Sequence, residues 1–158
     1  MDLYNRYCNL GDAERNVNAY ITCATIGKAA VALCDFIIPS AFKLNGPNTD
    51  RYRGLSSSNL TTFRNAFRNI RCIVIGTVSM MSGGLLVLIY QGLRNISQML
   101  LEPFGGFDVM LCGDLRQLPP VRATEMYKRS TLFNTFFNVQ RMPRQSVFLL
   151  SSARSKAE

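Results

Sequence analysis

The 158-residue sequence contains no histidine. Its five cysteines, Cys8, Cys23, Cys34, Cys72 and Cys112, are an odd set with no Cys-x-x-Cys spacing. Both facts argue against a zinc site. Cys23, Cys72 and Cys112 fall in apolar runs, so they read as small buried thiols in a reducing compartment. Acid is scarce as well: 10 Asp+Glu stand against 18 Lys+Arg, a net charge of +8. Between Arg51 and Leu101 there is neither Asp nor Glu, although Arg51, Arg53, Arg64, Arg68, Arg71 and Arg94 lie there. A carboxylate-held metal therefore has no ligand in the middle third of the chain. The basic balance favours an anionic partner, nucleic acid first. Met1-Asp2-Leu3 opens without the basic and apolar regions of a secretory signal. Residues 72–93 carry no charge, a length that could cross a bilayer. Thr77, Ser79, Ser82 and four glycines interrupt the run, so a strand, a Ser-Gly loop and a helix account for it better, and no membrane partner is expected.

A hydrophobic content of 47% and this length suit one domain around one core. Leu3 to Leu10 has the spacing of a helix tail that Gly11-Asp12 ends. Ala19 to Ala24 is a candidate buried strand, and Thr25 to Ala30 a turn opening a helix through about Leu33. A helix start with Gly27 and Lys28 is a generic phosphate cradle. It is not the P-loop G-x-x-x-x-G-K-[ST]: Thr22 stands at the early glycine and Ala29 at the hydroxyl that would meet Mg²⁺. Asn45 to Ser58 reads as a loop. Leu60, Phe63, Phe67 and Ile70 form a helical stripe. Arg64, Asn65 and Arg68 point outward from it, a solvated basic face with DNA contact as the alternative.

Arg71 to Ile75 is a β-branched buried strand. Met81, Leu85, Ile89, Leu93, Ile96 and Leu100 then mark the apolar face of a long helix, which Gly83-Gly84 weakens in its first turn. Phe107 to Cys112 is a third buried strand, emptying into Gly113-Asp114-Leu115-Arg116-Gln117-Leu118-Pro119-Pro120-Val121. In an α/β protein, ligands sit at the carboxyl ends of parallel strands. An Asp, an Arg and a Gln delivered there can meet phosphate and a metal-bound or attacking water. Pro119-Pro120 fix the exit of the loop. The plain alternative is a Gly-Asp turn with a proline-rich exit.

Gly-Asp-Leu-Arg-Gln-Leu-Pro-Pro-Val resembles motif III of the Pif family of DNA helicases, a branch of superfamily 1. Pro103-Phe104-Gly105-Gly106 fits the same family. Ala24 to Ala30 resembles its motif Ia, usually Ala-Pro-Thr-Gly-x-Ala-Ala, with Thr25 in place of Pro and Ile26 in place of Thr. Phe36 to Leu44 is similar to the family's Thr-Ile-His-Ser-Ala-Phe-x-Leu, with Ile37 and Pro39 as departures. For Phe42 and Leu44 core packing is the simpler role. Ile75-Gly76-Thr77-Val78-Ser79-Met80 stands where the family has Ile-Asp-Glu-x-Ser-Met. Gly76 and Thr77 thus replace the Asp that helps hold Mg²⁺ and the Glu that activates the attacking water. Neither supplies negative charge.

The resemblance implies an α/β fold, a RecA-like parallel sheet flanked by helices, incomplete, over residues 1–129. Residues 130–158 read as a divergent tail, mobile toward its end. It implies an enzyme class that couples ATP hydrolysis to translocation on single-stranded DNA in repair and recombination, with ATP and Mg²⁺ as cofactors and the remainder of a helicase as partner. By resemblance Gln117 senses the γ-phosphate, Asp114 supports the magnesium network, and Arg116 lies toward the nucleotide. Gly27, Lys28 and Ser40 lie toward the DNA. Lys28 and Arg116 read equally as surface charges. The missing carboxylates, P-loop and second motor domain imply that this chain alone neither binds the cofactors productively nor hydrolyses ATP. A non-catalytic single-stranded nucleic-acid-binding remnant, or a decayed mobile-element fragment, is the alternative. The expected location is intracellular, nuclear in a eukaryote.

Overall fold

The computed structural model describes residues 19–25, 27, 36–42, 54–141 and 148–152. Among the described residues six strands form one sheet: β1 (Tyr20–Ala24), β2 (Phe36–Ile37), β3 (Cys72–Gly76), β4 (Asp108–Gly113), β5 (Phe137–Arg141) and β6 (Phe148–Ser152), in the order β2-β1-β3-β4-β6-β5. The first four are mutually parallel, with Tyr20 opposite Cys72 and Cys72 opposite Asp108. They therefore all end at one edge of the sheet, which is where an α/β fold places its chemistry.

β3 is the centre. Its Cys72, Ile73, Ile75 and Gly76 are buried, as a β-branched strand covered on both faces demands. β4 buries Val109 and Leu111 and turns Met110 the other way, the two-residue alternation of a strand. The charge-free stretch 72–93 is thus β3, a 3₁₀ turn (Val78–Met80) and much of one helix. No described helix is long and apolar enough to cross a membrane.

The helices are α1 (Ile38–Ala41), α2 (Ser57–Phe67), α3 (Gly83–Ser97), α4 (Met126–Arg129) and α5 (Thr131–Phe136). The weak Gly83-Gly84 opening of α3 is offset by its N-cap: the Ser82 hydroxyl accepts from Leu85 N at 3.1 Å. α3 buries Leu86, Ile89, Leu93 and Ile96. The predicted face ran on to Leu100, but the helix stops at Ser97, where Gln98 takes φ 63°, and Leu100 is 57% exposed. On α2, Phe63 and Phe67 are buried and join a ring cluster with Phe42 and Phe107, centroids 5.9–6.2 Å apart. Phe42 is core, as expected; Leu44 lies outside the described residues.

The segment after Arg129, read from sequence as a divergent tail, contains secondary structure. It supplies α5 and the β5–β6 hairpin, and β6 runs antiparallel to β4 with Leu111 opposite Leu150. The expected helix over residues 3–10 and the helix after Gly27 lie outside the described residues, apart from Gly27 itself.

Candidate functional site

Three strand ends meet at one edge: Ala24-Thr25 after β1, Gly76-Thr77 after β3, and Gly113-Asp114 after β4. Ala24 is opposite Gly76 in the ladder, which brings Thr25 beside Thr77. Their side chains are joined. Thr77 Oγ1 lies 2.6 Å from Thr25 Oγ1, accepts from Thr25 N at 3.2 Å and donates to Gly76 O at 2.7 Å. Thr25 Oγ1 also lies 3.1 Å from Thr77 O, to which it can donate. A hydroxyl has one proton and two lone pairs. The Thr25 hydroxyl has one proton to share between Thr77 Oγ1 and Thr77 O, and either threonine can donate across the 2.6 Å contact.

Thr77 itself is held at φ 56°, ψ 44°. For a β-branched residue this left-handed conformation is an outlier costing of order 1–3 kcal/mol, so the surrounding structure must over-determine it. The clasp to Thr25 is one such restraint. Each of Thr25→Ala and Thr77→Ala is expected to destabilise by about 1–1.5 kcal/mol. The double variant should lose about 1 kcal/mol less than their sum, read from urea midpoints. Strict additivity would show that the two hydroxyls do not engage.

The motif III turn lies against the same segment. A Cβ on Gly113 would sit 2.9 Å from Val78 N. Beyond it, Asp114 Oδ1 accepts from Arg116 N at 2.9 Å and Asp114 O from Gln117 N at 3.0 Å, an Asx turn that fixes the backbone. Asp114 is half-buried, whereas Arg116, Gln117 and Leu118 are exposed, Leu118 at 73%. Burial pushes the Cys112 thiol above its ordinary pKa, so this cysteine is a poor nucleophile. Ser79 Oγ is buried with no hydrogen-bond partner among the described residues.

Of the residues named from sequence, Gly76 ends β3, and Gly27, Thr77, Asp114, Arg116 and Gln117 follow strand ends at this edge. Ser40, in α1 after β2, follows the outer strand; its side chain and the whole of Lys28 lie outside the described residues. Thr25 was visible only as a departure from proline, and its link to Thr77 across the sheet has no sequence signature.

Phosphoryl transfer with a magnesium ion needs carboxylates at Gly76 and Thr77. A glycine and a neutral hydroxyl stand there. Among the described residues no group of three His, Cys, Asp or Glu could hold a metal. Asp114 remains, and its Oδ1 is engaged by the turn. These residues do not fit a carboxylate-held magnesium ion.

The sequence profile of the PIF1-like helicases matches residues 10–150, continuing past Arg129 where the motif likeness ended. Among solved structures, unliganded Pif1 from Bacteroides sp is 28% identical, with a TM-score of 0.55 over 77% of this chain and 27% of that one. Bacteroides Pif1 in complex with ADP-AlF3 and single-stranded DNA is 27% identical, with a TM-score of 0.54 over 78% of this chain and 28% of that one. Pif1 helicase from Candida albicans is 20% identical and shares the fold, with a TM-score of 0.61 over 84% of this chain and 29% of that one. The chain therefore spans less than a third of the length of these helicases. Curated proteins gave no match. The likeness extends to the RecA-like parallel sheet of the Pif1 structures.

Proposed function

This chain belongs to the PIF1-like helicase family, and we propose from that premise that it holds single-stranded nucleic acid without hydrolysing ATP on its own. The observation that carries the reading is the Thr25–Thr77 clasp. It fills the motif II position with a neutral hydroxyl tied to Thr25, which carries no charge to hold a metal or to activate water. The turn after β4 keeps Asp114, Arg116 and Gln117, the family's residue types for a nucleotide. The partner charges that would make them productive are missing.

A motor also clamps its nucleotide between two domains, because transition-state charge is stabilised from both sides. ATP-driven unwinding, and roles in repair and recombination, are therefore proposed for a complete Pif-type helicase of which this chain would be one part. The Bacteroides relative with single-stranded DNA bound makes DNA the strand of choice, and the +8 charge supports it. Gly27, Lys28 and Ser40 are the proposed DNA-side positions. The expected location is intracellular, nuclear in a eukaryote, in keeping with small thiols set in the strands at Cys23, Cys72 and Cys112.

The test is fluorescence anisotropy of a labelled oligothymidylate across a salt series. Affinity should fall linearly in log–log form, by about 0.7 per phosphate neutralised. Adding ATP and Mg²⁺ should not move it. A tenfold change in affinity with ATP and Mg²⁺ would restore a nucleotide-coupled site and overturn the reading.

A further inference from the structure

The opposite edge of the sheet, where β3 and β4 begin, carries a second basic feature. α2 and α3 both end there. Between their last turns and the residues leading into β3 and β4 lies an open cavity of about 310 Å³. Arg64, Arg68 and Arg71 line it, with Met99 and Phe107 as apolar walls, and no acidic side chain among the described residues does.

The three arginines differ in kind. Arg64 is half-buried and structural. Its Nε donates to Ile96 O at 3.3 Å, and with the Gln98 amide oriented to suit its neighbours, the Gln98 oxygen accepts from Nη2 at 2.7 Å and Nη1 at 3.2 Å. A cation on the last carbonyls of α3 is what a helix C-terminus favours. That accounts for Arg64 and leaves Arg68 and Arg71 unexplained. Both are exposed and have no ion pair among the described residues, and Arg71 precedes a strand, with no helix dipole of its own to answer. Met99 beside them is 52% exposed.

We propose that this groove binds the phosphodiester backbone of a single-stranded nucleic acid. Arg68 and Arg71 meet phosphate, Arg64 sets the floor, and Met99 and Phe107 lie against a base or sugar. Two exposed guanidiniums with no carboxylate partner among the described residues present the usual donors to phosphate oxygens. An apolar wall next to a basic track is how single strands are held without sequence preference. The site is separate from the edge bearing Thr77 and Asp114 and does not depend on how that edge treats nucleotide.

The test uses the full chain and an oligothymidylate carrying 5-iododeoxyuridine, at low salt. Arg68→Glu with Arg71→Glu is compared with the charge-matched pair Arg122→Glu with Lys128→Glu, which lies outside the groove. All four positions are solvent-facing, and circular dichroism checks the fold. The groove pair should weaken binding tenfold or more, the control pair less than threefold. Photocross-links should map to Met99 or Phe107 and vanish in the groove variant. Equal losses in both pairs would show net charge alone at work. Cross-links confined to residues 25–27 or 113–121 would leave strand binding intact but move it to the other edge. Equal competition by oligoglutamate would assign the groove to an acidic protein. Each of these three results overturns the proposal.

Discussion

Gly113→Ala is expected to destabilise the fold by about 3 kcal/mol, although it adds a single methyl. That methyl would lie 2.9 Å from Val78 N and 3.1 Å from Val78 Cγ2. The nitrogen is backbone and cannot rotate away. Nor can its segment move freely: Val78 is fully buried, and Thr77 before it is pinned in the left-handed region by its bonds to Thr25. Relief must come from moving the end of β4, which displaces Asp114 and the turn it caps. The urea midpoint should fall accordingly. A Gly113→Ala protein within 0.5 kcal/mol of the parent would mean that the strand ends at this edge are not packed as described.

Phe104→Ala should cost more, about 4 kcal/mol, with a fall in Tm of roughly 10 °C. Phe104 is fully buried, with its ring edge-on to Tyr90 at 5.1 Å, and Arg94 lies over the Tyr90 ring at 5.0 Å. Its backbone sits at φ 50°, ψ 25°, unfavourable for any residue with a side chain. Alanine keeps that strain while discarding the aromatic burial that offsets it, and leaves a cavity against α3. Phe104→Leu should recover more than half of the loss. A drop below 1 kcal/mol for the alanine variant would show that the ring is not a core element.

The parallel sheet was legible because its strands are buried on both faces. Ile73-Val74-Ile75 is an unbroken β-branched run, and such a run has few other stable settings. α3 was legible from the spacing of Ile89, Leu93 and Ile96, but not its end. Leu100 kept the period although Gln98 had already turned the chain. The β5–β6 hairpin escaped because Phe148-Leu149-Leu150 gains its identity as a strand only by pairing with β4, a partner far back in the chain. At the site, Gly76-Thr77 announced the loss of both carboxylates. Thr25 did not announce the clasp, since the two residues are 52 positions apart. Arg64 was read as outward-facing; it turns instead to the end of α3, because unpaired carbonyls there offer it acceptors.

The edge formed by Thr25, Thr77 and Asp114 either supports phosphoryl transfer or does not. The most direct measurement is the steady-state ATPase rate of the purified chain with Mg²⁺ and saturating oligothymidylate, beside its Gln117→Ala variant. The clasp predicts no rate above the buffer background, with or without DNA, and no difference between the two proteins. A DNA-stimulated rate that Gln117→Ala abolishes would contradict it, and would mean that this edge finds its metal and its water without the carboxylates at Gly76 and Thr77.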